Sequence, residues 1–164
     1  MKPDEVTVEC MSEQVRNKYW LILSAVFSAI DPVSLRAGVD SLSRDTLFCT
    51  IESEGMYSSV LFVTPVTLAG IRLGGIGGVC TREEYRGRGY GRLIMERVLR
   101  DSAEVYGALL LWTRIPAYFQ SFGFIEMPEL FISDPHGSAP MFFFHDRESR
   151  MTISALTDLS RDYF

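Results

Sequence analysis

Residues Gly77 to Gly91, GGVCTREEYRGRGYG, constrain the fold more than any other part of the chain. A glycine-rich, strand-like run leads into a charged elbow. A turn with Gly87, Gly89 and Gly91 follows, and after it a segment of helical apolar spacing. Alternating glycines let a backbone turn tightly and approach a ligand closely, because no Cβ intervenes. Where such a turn opens a helix, the first backbone N–H groups have no carbonyl a turn behind them, and the dipole there is positive. That arrangement suits a phosphate. Arg86, Arg88 and Arg92 add three cations around it. The stretch is expected to cradle a pyrophosphate at a strand-to-helix junction. Neither GGIGGV nor GRGYGR supplies the dinucleotide pattern G-x-G-x-x-G, and the P-loop lysine is missing.

The turn Arg86-x-x-Gly89-x-Gly91, placed after a strand, resembles motif A of the GCN5-related N-acetyltransferase (GNAT) superfamily, Q/R-x-x-G-x-G/A. The resemblance implies that Arg86, Gly87, Arg88, Gly89, Tyr90 and Gly91 hold the pyrophosphate of acetyl-CoA. It also implies that the backbone groups of Val79 and Thr81 pair with the pantetheine amides, as an added strand would. Cys80, between them, faces the other way and is expected to be a small core residue. A second stretch, Tyr118-Phe119-Gln120-Ser121-Phe122-Gly123-Phe124, resembles motif B of the same superfamily, Tyr-x-x-x-Phe/Leu-Gly-Phe. By that resemblance Tyr118 is the hydrogen-bond donor to the departing thiolate. Full proton transfer from a phenol of pKa ≈ 10 to a thiolate of conjugate pKa ≈ 8.5 is uphill by about 2 kcal/mol. A hydrogen bond to the developing charge is still favourable in a water-poor slot. The resemblance covers Ile71 to Phe124.

Charge distribution supports the same centre. Residues 71–114 carry 8 basic and 5 acidic side chains, against 5 and 9 in residues 1–56 and 3 and 7 in residues 115–164. Acidic flanks argue against a nucleic-acid partner, which needs a contiguous basic face. Three cysteines without a Cys-x-x-Cys pair suggest neither a disulfide framework nor a metal site and fit a reducing cytoplasm. His136 and His145 have no cysteine beside them, so no metal is expected. MKPDEVTVEC is too acidic and polar for a signal peptide. Leu21 to Ile30, the most apolar helical stretch, falls short of the roughly 20 residues a bilayer needs. No membrane partner is expected; a homodimer is compatible with the chain.

The order of elements predicts a mixed α/β (α+β) GNAT-like fold over residues 1–164 as one domain. Its centre would be a mostly antiparallel twisted sheet of about six or seven strands flanked by helices, splayed between the fourth and fifth strands. Glu5 to Cys10 reads as a first strand. Ser12 caps a helix to about Phe27, with Tyr19, Leu21, Ile22, Leu23, Val26 and Phe27 on its core face. Asp31-Pro32 starts a second helix. Thr46 to Glu52 and Tyr57 to Thr64 read as a hairpin, with Pro65 and Ala69-Gly70 punctuating the next connection. Ile71 to Thr81 is a strand whose glycines predict a bulge or close backbone approach. Tyr90 to Tyr106 is a helix stopped by Gly107. Ala108 to Trp112 reads as a central strand, and Ile115 to Phe122 as a brief helix stopped by Gly123. Phe124 to Ile132 and Met141 to His145 are the last strands, joined through Asp134-Pro135-His136-Gly137, and Ser149 to Phe164 carries a further helix or extension.

These features point to an acetyl-CoA-dependent N-acetyltransferase acting on a small-molecule or peptide amine, by direct attack within a ternary complex. A lysine-like amine of pKa ≈ 10.4 is neutral only about once in 2,500 at pH 7, a cost of about 4.6 kcal/mol, so a base or water relay is expected. Many superfamily members place a Glu on the strand before motif A or beside it. Ile71 to Thr81 contains no carboxylate. Glu52, Glu54, Glu83, Glu84, His145 and a C-terminal carboxylate at Phe164 are the reserves. The alternative is a non-catalytic module that binds acyl-CoA as a sensor.

Overall fold

Thr7–Cys10 forms β1, and Ser12 caps α1 (Glu13–Val26), its Oγ accepting from the Val15 N–H at 3.2 Å. The computed structural model describes residues 5–68, 70–127 and 137–161, with 156–161 as backbone only. Val15, Tyr19, Ile22 and Leu23 recur at helical spacing along α1 and are buried. Leu21, expected on that face, is 52% exposed, since two residues from Tyr19 it lies about 200° round the axis. Asp31 caps α2 (Pro32–Asp40), its carboxylate accepting from the Ser34 N–H at 2.8 Å, with Pro32 in the first turn.

β2 (Leu47–Ser53) and β3 (Met56–Leu68) form the expected hairpin. Glu54 and Gly55, both at positive φ (55° and 79°), make a two-residue turn that matches strand twist. β3 runs through Pro65 instead of stopping there. Its ladder to β2 ends at Leu47↔Val63, so the proline removes no hydrogen bond from that pairing.

β4 (Ile71–Thr81) passes through a 3₁₀ turn (Glu83–Tyr85) into α3 (Tyr90–Ser102). α3 stops a turn short of the expected Tyr106. The N–H groups of Val105 and Tyr106 both return to the Ser102 carbonyl, at 3.0 and 2.9 Å, and this tight turn closes the helix before Gly107. β5 (Ala108–Thr113), α4 (Pro116–Gln120), β6 (Ile125–Glu126), β7 (Ala139–Phe144) and α5 (Arg147–Arg161) complete the chain. Gly123, at φ 95°, stops α4 as expected. The rest of the Phe124–Ile132 strand, the Asp134–His136 loop and Phe164 lie outside the described residues.

The sheet has seven strands in the order β1-β2-β3-β4-β5-β7-β6. It is mostly antiparallel; β4 and β5 are the parallel pair, joined by the crossover helix α3 as parallel strands require. The parallel register runs from Leu73↔Ala108 to Gly75↔Leu110, while β4 itself continues to Thr81.

Two compact units divide the chain: residues 1–64 with 76–100, and residues 65–75 with 101–164. In the first, Tyr19, Ile22 and Leu23 of α1, Val39 of α2, Phe48, Tyr57, Val60 and Cys80 form the core. Tyr19 meets Phe48 edge-on at 5.0 Å and Phe62 at 6.0 Å. In the second, Leu73, Ala108, Leu110, Phe142 and Ile153 pack together with Met127. Burying each large aliphatic or aromatic side chain contributes about 1.5–3 kcal/mol. Phe142 is fully buried; Phe143 and Phe144 are half-buried.

Candidate active site

The strand that leads into the turn is shaped by its glycines. Gly78 takes φ 59°, and a Cβ there would overlap the Tyr19 hydroxyl; one on Gly77 would overlap the Phe62 ring. The expected close approach is real, and it is two aromatic side chains that come close. Val79 and Thr81 are half-buried, and Cys80 between them is 7% exposed in the core. Burial pushes the Cys80 thiol up to about 12, with Arg82 and Arg86 opposing it in part. An attacking thiolate is therefore absent near pH 7, in agreement with its reading as a core residue. Ser59 Oγ lies 2.8 Å from Thr81 Oγ1 and bonds to the Cys80 carbonyl at 3.2 Å, which steadies the end of β4.

The turn itself has the geometry a phosphate cradle needs. Gly87 and Gly89 sit at φ 75° and 81°, in the left-handed region, and no heavy atom lies within 4 Å of a Cβ built on either. The first helical hydrogen bond of α3 runs from the Leu93 N–H to the Gly89 carbonyl at 3.0 Å, so the amides of the first turn face the loop. Arg86, Gly87, Arg88 and Gly89 are exposed and Gly91 is half-buried. Tyr90 is 4% exposed and stacks on Tyr85 at 6.2 Å, so what it offers the loop is its backbone. Arg86 Nε donates to the Thr81 carbonyl at 3.2 Å, bracing the turn against the end of β4. Arg88 donates to the Glu84 carbonyl at 3.3 Å and lies over the Tyr85 ring at 5.1 Å. The open, left-handed glycines fit a pyrophosphate; the arginines hold the loop as well as charging it.

Arg82, which sequence reasoning passed over, ends the strand. Its Nη1 is 3.7 Å from Glu84 Oε1, and its buried Nε has no hydrogen-bond partner among the described residues. Arg82, Glu83, Glu84 and Arg86 line a polar cavity of about 360 Å³ against the C-terminal end of α1. Its charge was visible in the sequence, but nothing there announced its burial.

Val79, Thr81 and Arg86–Gly91 all fall in the first unit; Tyr118 falls in the second. There it is half-buried on α4, edge-on to Phe119 at 5.0 Å and Phe122 at 5.3 Å, and its carbonyl accepts from Ser121 Oγ. Of the reserve bases, Glu52, Glu84 and His145 have partners. Glu52 is bound to Lys18 and Glu84 to Arg82, whereas Glu54 sits on the hairpin turn. His145 Nε2 is 2.9 Å from Ser102 Oγ, and burial holds the ring below the usual histidine range while Asp146 opposes this. Among the described residues no three His, Cys, Asp or Glu side chains gather as a metal site would need, and no helix is long and apolar enough to cross a membrane.

The mixed seven-stranded sheet carries its arginine–glycine turn between the fourth strand and the crossover helix. Residues 48–126 match the model of the Acetyltransferase (GNAT) family. No curated protein matches the chain. Among solved structures it is similar to the GNAT family N-acetyltransferase YhbS from Escherichia coli in complex with CoA, with TM-score 0.69 at 20% identity over 91% of this chain and 86% of that one. An acyl-CoA N-acyltransferase from Pseudomonas aeruginosa gives 0.66 at 20% identity, covering 84% and 97%. The ribosomal-protein-S18-alanine N-acetyltransferase from Escherichia coli gives 0.61 at 13%, covering 87% and 95%. At these identities the structural likeness speaks for the fold.

Proposed function

We propose that this chain, as one acyltransferase domain, is an acetyl-CoA-dependent N-acetyltransferase that carries out direct transfer to the amine of a small molecule or peptide. The observation that carries this reading is the open turn at Gly87 and Gly89, left-handed and feeding a helix of 13 residues at the end of β4. The amides of Arg86 to Gly91 would hold the pyrophosphate, and the backbone of Val79 and Thr81 the pantetheine arm. The amine nitrogen attacks the thioester carbon, the C–S bond breaks with its electron pair going to sulfur, and the amine proton leaves to solvent or to the thiolate. No enzyme-bound acyl intermediate is needed, because the thioester is already activated and a ternary complex supplies proximity. Tyr118, by its motif, donates a hydrogen bond to the departing sulfur. A cytoplasmic location fits the free thiols of Cys10, Cys49 and Cys80.

Isothermal titration with acetyl-CoA tests the cofactor half; absence of binding at millimolar ligand removes it. Tyr118→Phe tests the chemical half. Turnover should fall by about tenfold or more with cofactor affinity unchanged, since one transition-state hydrogen bond is lost. The second reading, an acyl-CoA-binding module without turnover, is favoured by one observation. β4 has no carboxylate, and Glu52 and Glu84 are held in ion pairs. Acetyl-CoA binding without thiol release across a broad amine panel would select it.

A further inference from the structure

A cavity of about 360 Å³ opens in the first unit between α1, α2, Phe62 of β3 and Gly78 of β4. Its walls are hydrocarbon and aromatic: Leu23, Phe27, Leu35, Val39, Leu42 and Phe62. No charged side chain lines it. We propose that this cavity receives the acceptor, and that the acceptor is a weakly basic amine on an apolar body, neutral near pH 7, such as an arylamine. The proposal rests on the acetyltransferase reading above and names the substrate class that reading leaves open.

Three observations carry it. The first is position. Gly78, a lining residue, is the chain neighbour of Val79, whose backbone is assigned to the pantetheine arm. A pantetheine arm running back along β4 from the Arg86–Gly91 loop brings its thioester end toward Gly77 and Gly78. A group held in the cavity is then beside the reacting carbon. The second is charge. An ammonium group moved into an apolar cavity with no counter-ion loses its hydration without compensation. A lysine-like amine would have to enter through a neutral fraction of about one in 2,500. An amine already neutral meets no such barrier and needs no base to free its lone pair, which accounts for a β4 strand without a carboxylate.

The third is the Tyr19 hydroxyl. Tyr19 is 2% exposed, lines the cavity, and its oxygen points to Gly78. Burial raises its pKa, so the group stays an O–H. A ligand atom that pairs with a hydroxyl on the cavity wall gains a hydrogen bond that an apolar body alone does not. A bare acyl chain filling the cavity makes no such bond, whereas an acceptor with an N–H beside its apolar body does. Tyr19 is thus a positioning residue for the amine. The polar cavity lined by Arg82, Glu83, Glu84 and Arg86 is the competing place for a polar acceptor.

Gly38 supplies the test. It lines the cavity from α2, and nothing lies within 4 Å of a Cβ built there, so Gly38→Leu fills the space and improves helix propensity. The full-length protein is titrated near pH 7 with 4-butylaniline and with spermidine, in the presence of CoA, and separately with acetyl-CoA and octanoyl-CoA. We expect 4-butylaniline to bind, Gly38→Leu to weaken it by about tenfold or more, and acetyl-CoA affinity to stay within about twofold. Tyr19→Phe should weaken the amine and leave octanoyl-CoA unaffected. The proposal is overturned if 4-butylaniline does not bind or binds Gly38→Leu equally. It also fails if spermidine binds and loses affinity in that variant, or if octanoyl-CoA is preferred over acetyl-CoA and Gly38→Leu abolishes the preference. Loss of acetyl-CoA binding by the unaltered protein is a separate outcome, which removes the acetyltransferase reading itself.

Discussion

Gly78 joins two constraints that a larger residue cannot meet together. Its φ of 59° costs an L-residue roughly 1–2 kcal/mol, and a Cβ would overlap the Tyr19 hydroxyl. Overpacking at such a contact adds about 1–3 kcal/mol. Gly78→Ala should therefore destabilise by about 2–5 kcal/mol in urea unfolding. Removing the hydroxyl relieves the second part alone, so Gly78→Ala with Tyr19→Phe should recover about 1 kcal/mol or more relative to the single change. Strictly additive effects would show that the Tyr19 hydroxyl is not the obstacle. That β4 must admit a close neighbour was legible from its glycines. Which neighbour was not, because Tyr19 occupies a helical apolar stripe and looks like any core aromatic; its hydroxyl reaches β4 only through the packing of α1 on the sheet.

The loop at the start of α3 and the start of α5 behave differently as elements. Gly89→Ala meets no atom within 4 Å, so its structural effect is backbone strain of about 1–2 kcal/mol. The new methyl enters the open space where the pyrophosphate is proposed to lie. Acetyl-CoA affinity, measured by calorimetry, should fall by about tenfold or more, beyond what the stability loss explains. At α5, Asp146 accepts from the Ser149 N–H and Oγ at 2.6 and 2.9 Å, and these bonds hold its carboxyl below the usual range. His145 faces Ser102 Oγ, the Phe143 ring at 5.0 Å and Asp146, and its folded pKa is lowered mainly by burial. Between the folded pKa and the unfolded value near 6.5 the unfolded chain binds more protons, so stability is lost as pH falls through that window. Asp146 adds its own loss only below about pH 4. Thermal melts should show Tm falling from pH 7 to 5, with a shallower fall in His145→Gln; identical slopes would remove His145 as the cause. Caps and spacing made α1, the start of α2 and β4 legible to within a residue or so. The end of α3 was not, because the Ser102 carbonyl captures two N–H groups in a turn with no composition of its own. Nor was the length of β3, since Pro65 is tolerated where pairing with β2 has ended.

At the scale of the molecule, the turn proposed to hold the cofactor was legible because its left-handed conformation favours glycine. The cavity proposed for the acceptor was not. An apolar wall has the same composition as a core, and only an assembled cavity tells one from the other. Neither compact unit is a continuous segment, as β3 and β4 each pass through both. Residues 1–100 contain the whole first unit and also Pro65–Gly75, which belongs to the second. Within that second unit Leu73 is fully buried among Ala108, Leu110, Phe142 and Ile153, and Gly74 and Gly75 pair with Leu109 and Leu110. A chain ending at Arg100 would expose Leu73 and leave β4 an unpaired, flat strand edge. Losing the cover of one large aliphatic side chain costs about 2 kcal/mol, and an open edge invites pairing between chains. Typical domain stability is only about 5–15 kcal/mol, so with Val66, Leu68 and Ile71 also uncovered the deficit is decisive. The 1–100 fragment should sediment as aggregates and show no cooperative urea transition by circular dichroism. The full chain should remain soluble and gain about 2.7 kcal/mol of stability at an acetyl-CoA concentration of about a hundred times Kd. A monomeric fragment with a sharp transition would mean that the first unit folds without the strands that complete the second.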